Sequence, residues 1–499
     1  MKLIYLLTFI LLFPVLINAQ DLTYGLVVND LENHPMQPKA KPDYLDTIID
    51  PSFGTTIRRI TDAGEGNVIK PMYSTVQAWN ADESLMIVYN QSTGNHQLLD
   101  GMTYEFIRNL DFRPSDIEDI FWDFYDSDIL YYLNASTDNF IRYHVSTQSK
   151  DTIVNLNTIA GCDGAIALGN DVQMMSWDSD VIGFRCGNET AYSYRISTDK
   201  MTEFDISNVN WVAPTSAPSG NLFYHRTNVY DSSGSLLFEL NEANTEHSCL
   251  GRLANGNDAH FAVAFEQGPQ GGCMGNIVAH DLTTGECFPV ISQSQGYPYP
   301  KSGTHISAVT HKNTDGGWVA ASMMGFSQDG QNLLDQELVI AKADEGNIKI
   351  CRIGHHRSDE DEFDYWGEPH ACISPTGTRV LFGSDWSGIE DGESIDCYVV
   401  ELPSFDNSGI IEQKASEDLL RISPNPAKDI CEISFNGTGE ELYSIKIFNE
   451  LGQKVFESAK FSGQNTVSIT LDKFTPGRYI VQRVVGTSAT DTEKLIVLK

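Results

Sequence analysis

Three histidines stand at nearly the same place in three successive short strands: Glu246-His247-Ser248, Thr304-His305-Ile306 and Pro369-His370-Ala371. Neutral imidazoles joined by a carboxylate are a usual ligand set for Mn, Fe or Zn. Glu368 lies two residues before His370, on the same face of an extended strand. Metal ligation by His305, Glu368 and His370, a metal-free polar site, and hydrogen-bonded packing are the three readings of this pattern. Nearby, His355-His356-Arg357-Ser358 runs through an acidic stretch into Tyr365-Trp366. Arg357 suits a bidentate grip on a carboxylate. Tyr365, Trp366 and Trp386 suit stacking on a sugar ring, and Tyr297, Tyr299 and His356 invite the same substrate-binding reading. The alternative for this group is a His–Asp network that ties down a long loop.

Other chemistries lack their residues. The chain has no Gly-x-Ser-x-Gly elbow, no phosphate-binding Gly-rich loop with Lys, and no His-Glu-x-x-His. No paired Cys-x-x-Cys supports a zinc ribbon. A glycosidase needs two carboxylates at a set separation, and acids are too abundant here to single out such a pair.

The elements that carry these side chains are short runs of Val, Ile, Phe, Tyr and Trp, broken by Asp, Asn, Gly and Ser. Between residues 53 and 403 no long stretch has helical periodicity, so the fold is all-β. A loose repeat of strand, polar turn and apolar strand recurs at 74–90, 117–134, 171–186, 210–226, 245–265, 303–322 and 368–386. Seven copies at this spacing predict a seven-bladed β-propeller over 53–403, with the first strand of each copy lining the central channel. The solitary strand Thr55 to Asp62 is expected to complete the last blade and close the ring, which leaves no free sheet edge. In this arrangement His247, His305 and His370 converge at one mouth of the channel. The loop bearing His355, His356 and Arg357 enters the last blade and is expected over that mouth.

Asp and Glu number 68 against 33 Lys and Arg, for a formal charge of −35. Such a chain has no electrostatic footprint for nucleic acid or anionic lipid, and an acidic ligand would need a local cation. Residues 1–19 read as a secretory signal peptide, with Lys2, an apolar run and a small residue at Ala19. No later apolar run is long enough for a transmembrane segment. In an exported chain the nine cysteines favour disulfides, and proximity suggests Cys162 with Cys186 and Cys273 with Cys287. A monomer is expected.

Residues 20–52 form a polar lead-in, 404–418 a polar linker and 419–499 a small β-sandwich of alternating strands. The last carries Ser423-Pro424-Asn425-Pro426, Asn449 with Leu451-Gly452-Gln453, Pro476-Gly477-Arg478-Tyr479 and a basic, strand-like end. It closely resembles the C-terminal sorting domain of the type IX (Por) secretion system of Bacteroidetes. That resemblance implies passage across the outer membrane by the type IX machinery, followed by release or attachment at the cell surface.

A second resemblance covers the last three repeats. Thr245-Glu246-His247, His305-Ile306-Ser307 with Asp315-Gly316-Gly317-Trp318, and Glu368-Pro369-His370 with Ser374-Pro375-Thr376-Gly377 and Phe382-Gly383-Ser384-Asp385 resemble the oligogalacturonate lyases. These are seven-bladed propellers that cleave uronate chains by β-elimination. The resemblance implies a divalent metal at His305 and His370. Glu368 stands where the family has a histidine, and Tyr365 near the place of a glutamine.

The expected function is a secreted carbohydrate-active enzyme, a polysaccharide or oligosaccharide lyase acting on uronate glycans with a divalent metal. His247 is the candidate base, Tyr365 or His355 the candidate acid, and Arg357 a local offset to the chain's acidity. A non-catalytic glycan- or protein-binding propeller and a glycoside hydrolase are the alternatives.

Overall fold

The computed structural model describes residues 21–406 apart from 170–172, 269–270, 300–304, 359–363 and 387–393. Beyond these it describes 421–423, 427–428, 430–434, 443–449, 454–458, 466–485 and 488–497. The signal segment, Thr304 and most of the expected linker lie outside the described residues. The chain divides into two compact units, Met1–Ser408 and Gly409–Lys499.

In the first unit the described residues form seven antiparallel sheets, laid down one after another as the blades of a β-propeller. Among their second strands Ile129–Leu133, Trp318–Met323 and Arg379–Ser384 are mainly apolar and buried along their whole length. A strand buried on both faces has no need of alternation, because each sheet is packed between two others. The outermost strands Phe106–Asn109 and Leu236–Glu239 are mostly exposed.

The ring closes as expected. Thr56–Arg59 pairs with Asp396–Glu401, Thr56 opposite Glu401 and Arg59 opposite Tyr398. Arg58 binds Glu401 at 2.9 Å and Arg59 binds Asp396 at 2.9 Å, so charge also joins the two ends of the ring. Thr47–Ile49 adds a further edge strand to this last sheet, within the stretch expected to be only a polar lead-in. The rest of the lead-in is a strap over the sixth and seventh sheets. Met36 N–H donates to Gly330 O at 2.7 Å, and Trp386 Nε1 donates to Lys39 O at 2.9 Å. The first and last sheets are also riveted by Arg379, whose guanidinium meets the Glu83 carboxylate at 2.5 Å and lies 4.9 Å from the Trp79 ring centre.

The first strands line the axis, but in two sheets they lie wholly ahead of the repeat read from the sequence. They are Ile69–Lys70 and Ile166–Ala167, ahead of the expected starts at 74 and 171. The residues that follow then act as ties between sheets. The Gln77 amide donates to Val309 O at 3.1 Å and Ile373 O at 3.0 Å. Gln173 donates to Leu168 O at 2.9 Å and Pro214 O at 3.1 Å. Both expected disulfides are present, Cys162–Cys186 and Cys273–Cys287, while Cys249, Cys351, Cys372, Cys397 and Cys431 are free and buried.

The second unit has a three-stranded sheet, Arg421–Ser423, Ile430–Ser434 and Thr466–Thr470. Its four-stranded sheet comprises Lys454–Glu457, Tyr443–Asn449, Gly477–Val485 and Ser488–Val497. Ile433, Ile445, Ile447, Ile469, Val481 and Leu495 form its core. Alternation along Ile430–Ser434 and Thr466–Thr470 puts one face inside and one outside, as in a sandwich. Of the Ser-Pro-Asn-Pro segment residues 424–426, and all of the Leu-Gly-Gln segment, lie outside the described residues.

Candidate metal centre

Neighbouring first strands bring His305 and His370 together. His305 opens the strand His305–Ser307 of the sixth sheet, and His370 precedes Cys372–Ile373 of the seventh. Both are fully buried, and their ring centres are 4.0 Å apart. Glu368 projects between them, its Oε2 3.3 Å from His305 Nε2 and 3.2 Å from His370 Nε2. The donor atoms of the three residues all lie within 4.8 Å of one another. His370 sits at φ 46°, a left-handed conformation uncommon outside glycine. Its carbonyl neighbour Pro369 O accepts from Gly383 N at 2.8 Å, which anchors the turn to the second strand. A strained backbone at a cluster of polar groups is a frequent mark of a functional site.

The donor set fits a divalent cation. His370 Nδ1 is buried without a hydrogen-bond partner among the described residues. Its Nε2 is approached by the Glu368 carboxylate and also by Lys70 Nζ at 3.5 Å. One ring nitrogen bears either a proton or a lone pair and cannot satisfy both. Two imidazoles and a carboxylate around one point suit Mn, Fe or Zn.

His247 joins the group from the fifth sheet, its ring 4.5 Å from that of His305 and its Nδ1 3.0 Å from Tyr73 Oη. Burial lowers its pKa to about 4, so it is neutral at pH 7. Tyr73 also packs edge-on against His305 and His370, at 5.3 and 5.2 Å. Tyr365 lies in a short turn of helix, Asp364–Gly367, with its ring 5.0 Å from His370 and its hydroxyl 3.4 Å from Glu118 Oε1. Burial and the nearby Glu118 carboxylate push the Tyr365 phenol upward, so it keeps its proton. Burial raises the Glu118 carboxyl to about 7.

The remaining expected site residues fall elsewhere. His355 ends Lys349–His355, the outermost strand of the sixth sheet, with two strands between it and the strand of His305. It is fully buried against Phe53, ring centres 5.1 Å apart, and its N–H donates to Asp50 Oδ2 at 3.1 Å. Burial and the adjacent Arg357 and Arg352 lower its pKa to about 3. Arg357 donates to Gln37 O at 2.9 Å and lies over Trp386, 5.3 Å from that ring centre. His356 Nε2 meets Met323 O at 3.1 Å. Trp386 is fully buried and stacked on Tyr398, and Tyr297 is also buried. Thus His355, His356, Arg357 and Trp386 join the loop to the strap and core, the alternative weighed for them from the sequence. Tyr365 and Tyr299 are exposed and Trp366 is half-buried, so these rings remain accessible. Tyr299 donates to Phe265 O at 2.8 Å and lines a small cavity of about 110 Å³ with Phe326 and Asp335.

Lys70, Tyr73 and Glu118 escaped the sequence reading. The repeat read from the sequence begins at residue 74 and leaves Val68-Ile69-Lys70-Pro71-Met72-Tyr73 outside it. A lysine ending an apolar strand immediately before a proline was the available signal.

Comparisons with known proteins follow the two units. Residues 421–498 match the secretion system C-terminal sorting domain. The chain therefore carries a type IX sorting tail and is exported, to be released or held at the cell surface. No helix among the described residues is long and apolar enough to cross a membrane. No curated protein matches the chain. Among solved structures it is similar to an oligogalacturonate lyase from Vibrio parahaemolyticus, with a TM-score of 0.53 and 16% identity, over 72% of this chain and 96% of that one. It is also similar to an oligogalacturonate lyase in complex with manganese, with a TM-score of 0.51 and 17% identity, over 74% of this chain and 98% of that one. At this identity the likeness establishes the propeller fold.

Proposed function

We propose that the protein is an exported lyase that cleaves uronate-containing glycans by metal-assisted β-elimination. The observation that carries this reading is the convergence of His305, Glu368 and His370 donor atoms within 4.8 Å. The fold likeness to a manganese-bound oligogalacturonate lyase supports it. A divalent Mn, Fe or Zn ion held there would neutralise a uronate carboxylate and acidify the C5 proton.

The residues around the cluster divide the remaining work. His247 is uncharged at neutral pH, and with Nδ1–H donating to Tyr73 Oη it keeps the Nε2 lone pair with which to take the C5 proton. The C5–H electron pair then forms the C4–C5 double bond as the C4–O bond breaks. Tyr365, held protonated, donates its proton to the leaving oxygen. The accessible rings of Tyr365, Trp366 and Tyr299 offer faces on which sugar rings can stack. His355 and Arg357 act by fixing the loop and strap beneath these groups.

The test is elemental analysis of the purified protein before and after chelation, paired with ultraviolet assays on a panel of uronate polymers. About one bound metal per chain and unsaturated products that vanish on chelation are expected. A metal-free protein that leaves every uronate polymer uncut would sink the reading. Reducing ends released without a new ultraviolet absorbance would show hydrolysis instead.

A further inference from the structure

An acidic sugar approaching this chain meets a formal charge of −35, and the Glu118 and Glu368 carboxylates lie near the cluster itself. The arginines of the sixth sheet and its following loop have carboxylates beside them. Arg352 pairs with Asp30 and Glu337, and Arg357 lies 4.0 Å from Asp50. Lys70 is different. Its Nζ is almost wholly buried, 3.2 Å from Tyr365 O and 3.5 Å from His370 Nε2. It lies over the rings of Tyr365 and Trp366, at 4.4 and 5.2 Å from their centres. Among the described residues no carboxylate pairs with it directly. A buried ammonium without a paired anion is costly to a fold.

We propose that Lys70 is the anion anchor of the site, the cation that receives the carboxylate of an acidic sugar beside His370. The proposal rests on the uronate reading given above. Three further features support it. An ammonium has three N–H donors, and among the described residues Tyr365 O and His370 Nε2 engage two of them. His370 Nε2 serves either Glu368 or Lys70, so that second contact is a contested one. The Tyr365 and Trp366 rings lie over the ammonium, and Tyr365 is itself 38% exposed. A ring face holds a cation less firmly than a charge-assisted hydrogen bond to a carboxylate does, so an incoming acid gains by displacing it. The anchor places a carboxylate next to the His305–Glu368–His370 cluster, where β-elimination needs it.

The experiment compares trigalacturonate with its methyl ester by calorimetry on metal-depleted protein, in which the proposed elimination does not proceed. Wild type is expected to bind the acid at least about tenfold more tightly than the neutral ester. Lys70→Met should lose that preference, and Lys70→Arg should keep most of it. If methionine is not tolerated in the fold, as read by circular dichroism, Lys70→Gln carries the same test. An undiminished preference for the acid in the uncharged variant, or no preference in wild type, would overturn the anchor. A wild type that prefers the acid, yet holds no metal and forms no unsaturated product, would overturn the lyase reading and leave the anchor standing.

Discussion

The rings of His305 and His370 stand 4.0 Å apart, inclined at 40°, on adjoining sheets of the propeller. Glu368 Oε2 lies 3.3 Å or less from Nε2 of each. Nothing local in the chain holds them there. His305 is fixed by its ladder with Trp318–Met323, opposite Ser322, and His370 by a left-handed turn tied to Gly383. The pair exists because two rigid sheets are packed side by side.

The first prediction concerns this pair. His305→Ala and His370→Asn should each take bound metal from about one per chain to near zero and cut elimination at least about hundredfold. Asparagine is chosen at position 370 because it tolerates the left-handed backbone better than alanine. Elemental analysis, a rate assay and thermal unfolding check it together. Full metal content and activity in both variants would remove the cluster from the chemistry.

Much of this site was legible in the sequence because it follows from period and register. Histidines recurring in successive repeats keep their relation in any arrangement that stacks sheets round an axis, but Glu368 and His370 do not share the strand face expected of them: both precede Cys372–Ile373, in a turn with His370 at φ 46°. The disulfides and the closing strand were legible for similar reasons of proximity and edge satisfaction. Lys70 and Tyr73 were not, because the short strand Ile69–Lys70 and the tie through Gln77 break the repeat in the first sheet. Nor was the fate of His355, His356 and Arg357. Their types suggested a site, but their positions depend on a lead-in strap that has no repeat and no periodicity. Asp50 and Gln37 reach them only once the ring has closed.

The second prediction tests that closure. Arg379 is fully buried, with Glu83 as its carboxylate partner and Trp79 and Phe405 beneath its guanidinium. Removing one member of a buried ion pair leaves an uncompensated charge and costs about 3–5 kcal/mol. Glu83→Gln and Arg379→Met should each lower stability on that order. The double variant should fall short of the sum, since each single change already breaks the pair. Denaturant unfolding of the three variants measures it, and strict additivity would show that the two residues act independently.

Acid sensitivity provides the third. His96 is buried, with its Nε2 2.7 Å from Ile117 O, and burial lowers its pKa from 6.5 to about 4. Its neutral form is therefore the one the fold prefers. Above about pH 6.5 it costs nothing. As pH falls from there towards 4 the unfolded chain binds a proton that the folded chain does not, and stability drops by a few kcal/mol. Below about 4 the loss levels off. Carboxyls whose pKa burial raises, such as Asp119 at about 7, act in the opposite sense, so the readout is a difference. His96→Gln should lose less stability than wild type between pH 7 and 4. Parallel curves for the two proteins would contradict it.

The fourth prediction concerns the cysteines, and it distinguishes covalent ties from buried thiols. Four of the nine are paired in Cys162–Cys186 and Cys273–Cys287, and the other five are buried in the core. Unfolded without reductant, the full chain should react with five equivalents of a thiol reagent, and with nine after reduction. Folded, it should react with almost none, because burial raises thiols such as Cys249 and Cys351 to about 12 and leaves little thiolate at neutral pH. The Cys162–Cys186 link spans 24 residues, and a loop of that length restrains the unfolded chain by about 3 kcal/mol. Cys162→Ser with Cys186→Ser should lower stability by that order while leaving metal binding intact, since the bond lies in the third sheet and the cluster spans the sixth and seventh. Loss of metal along with the disulfide would mean that the two regions are coupled through the ring, and that the cluster depends on more than the sheets that carry it.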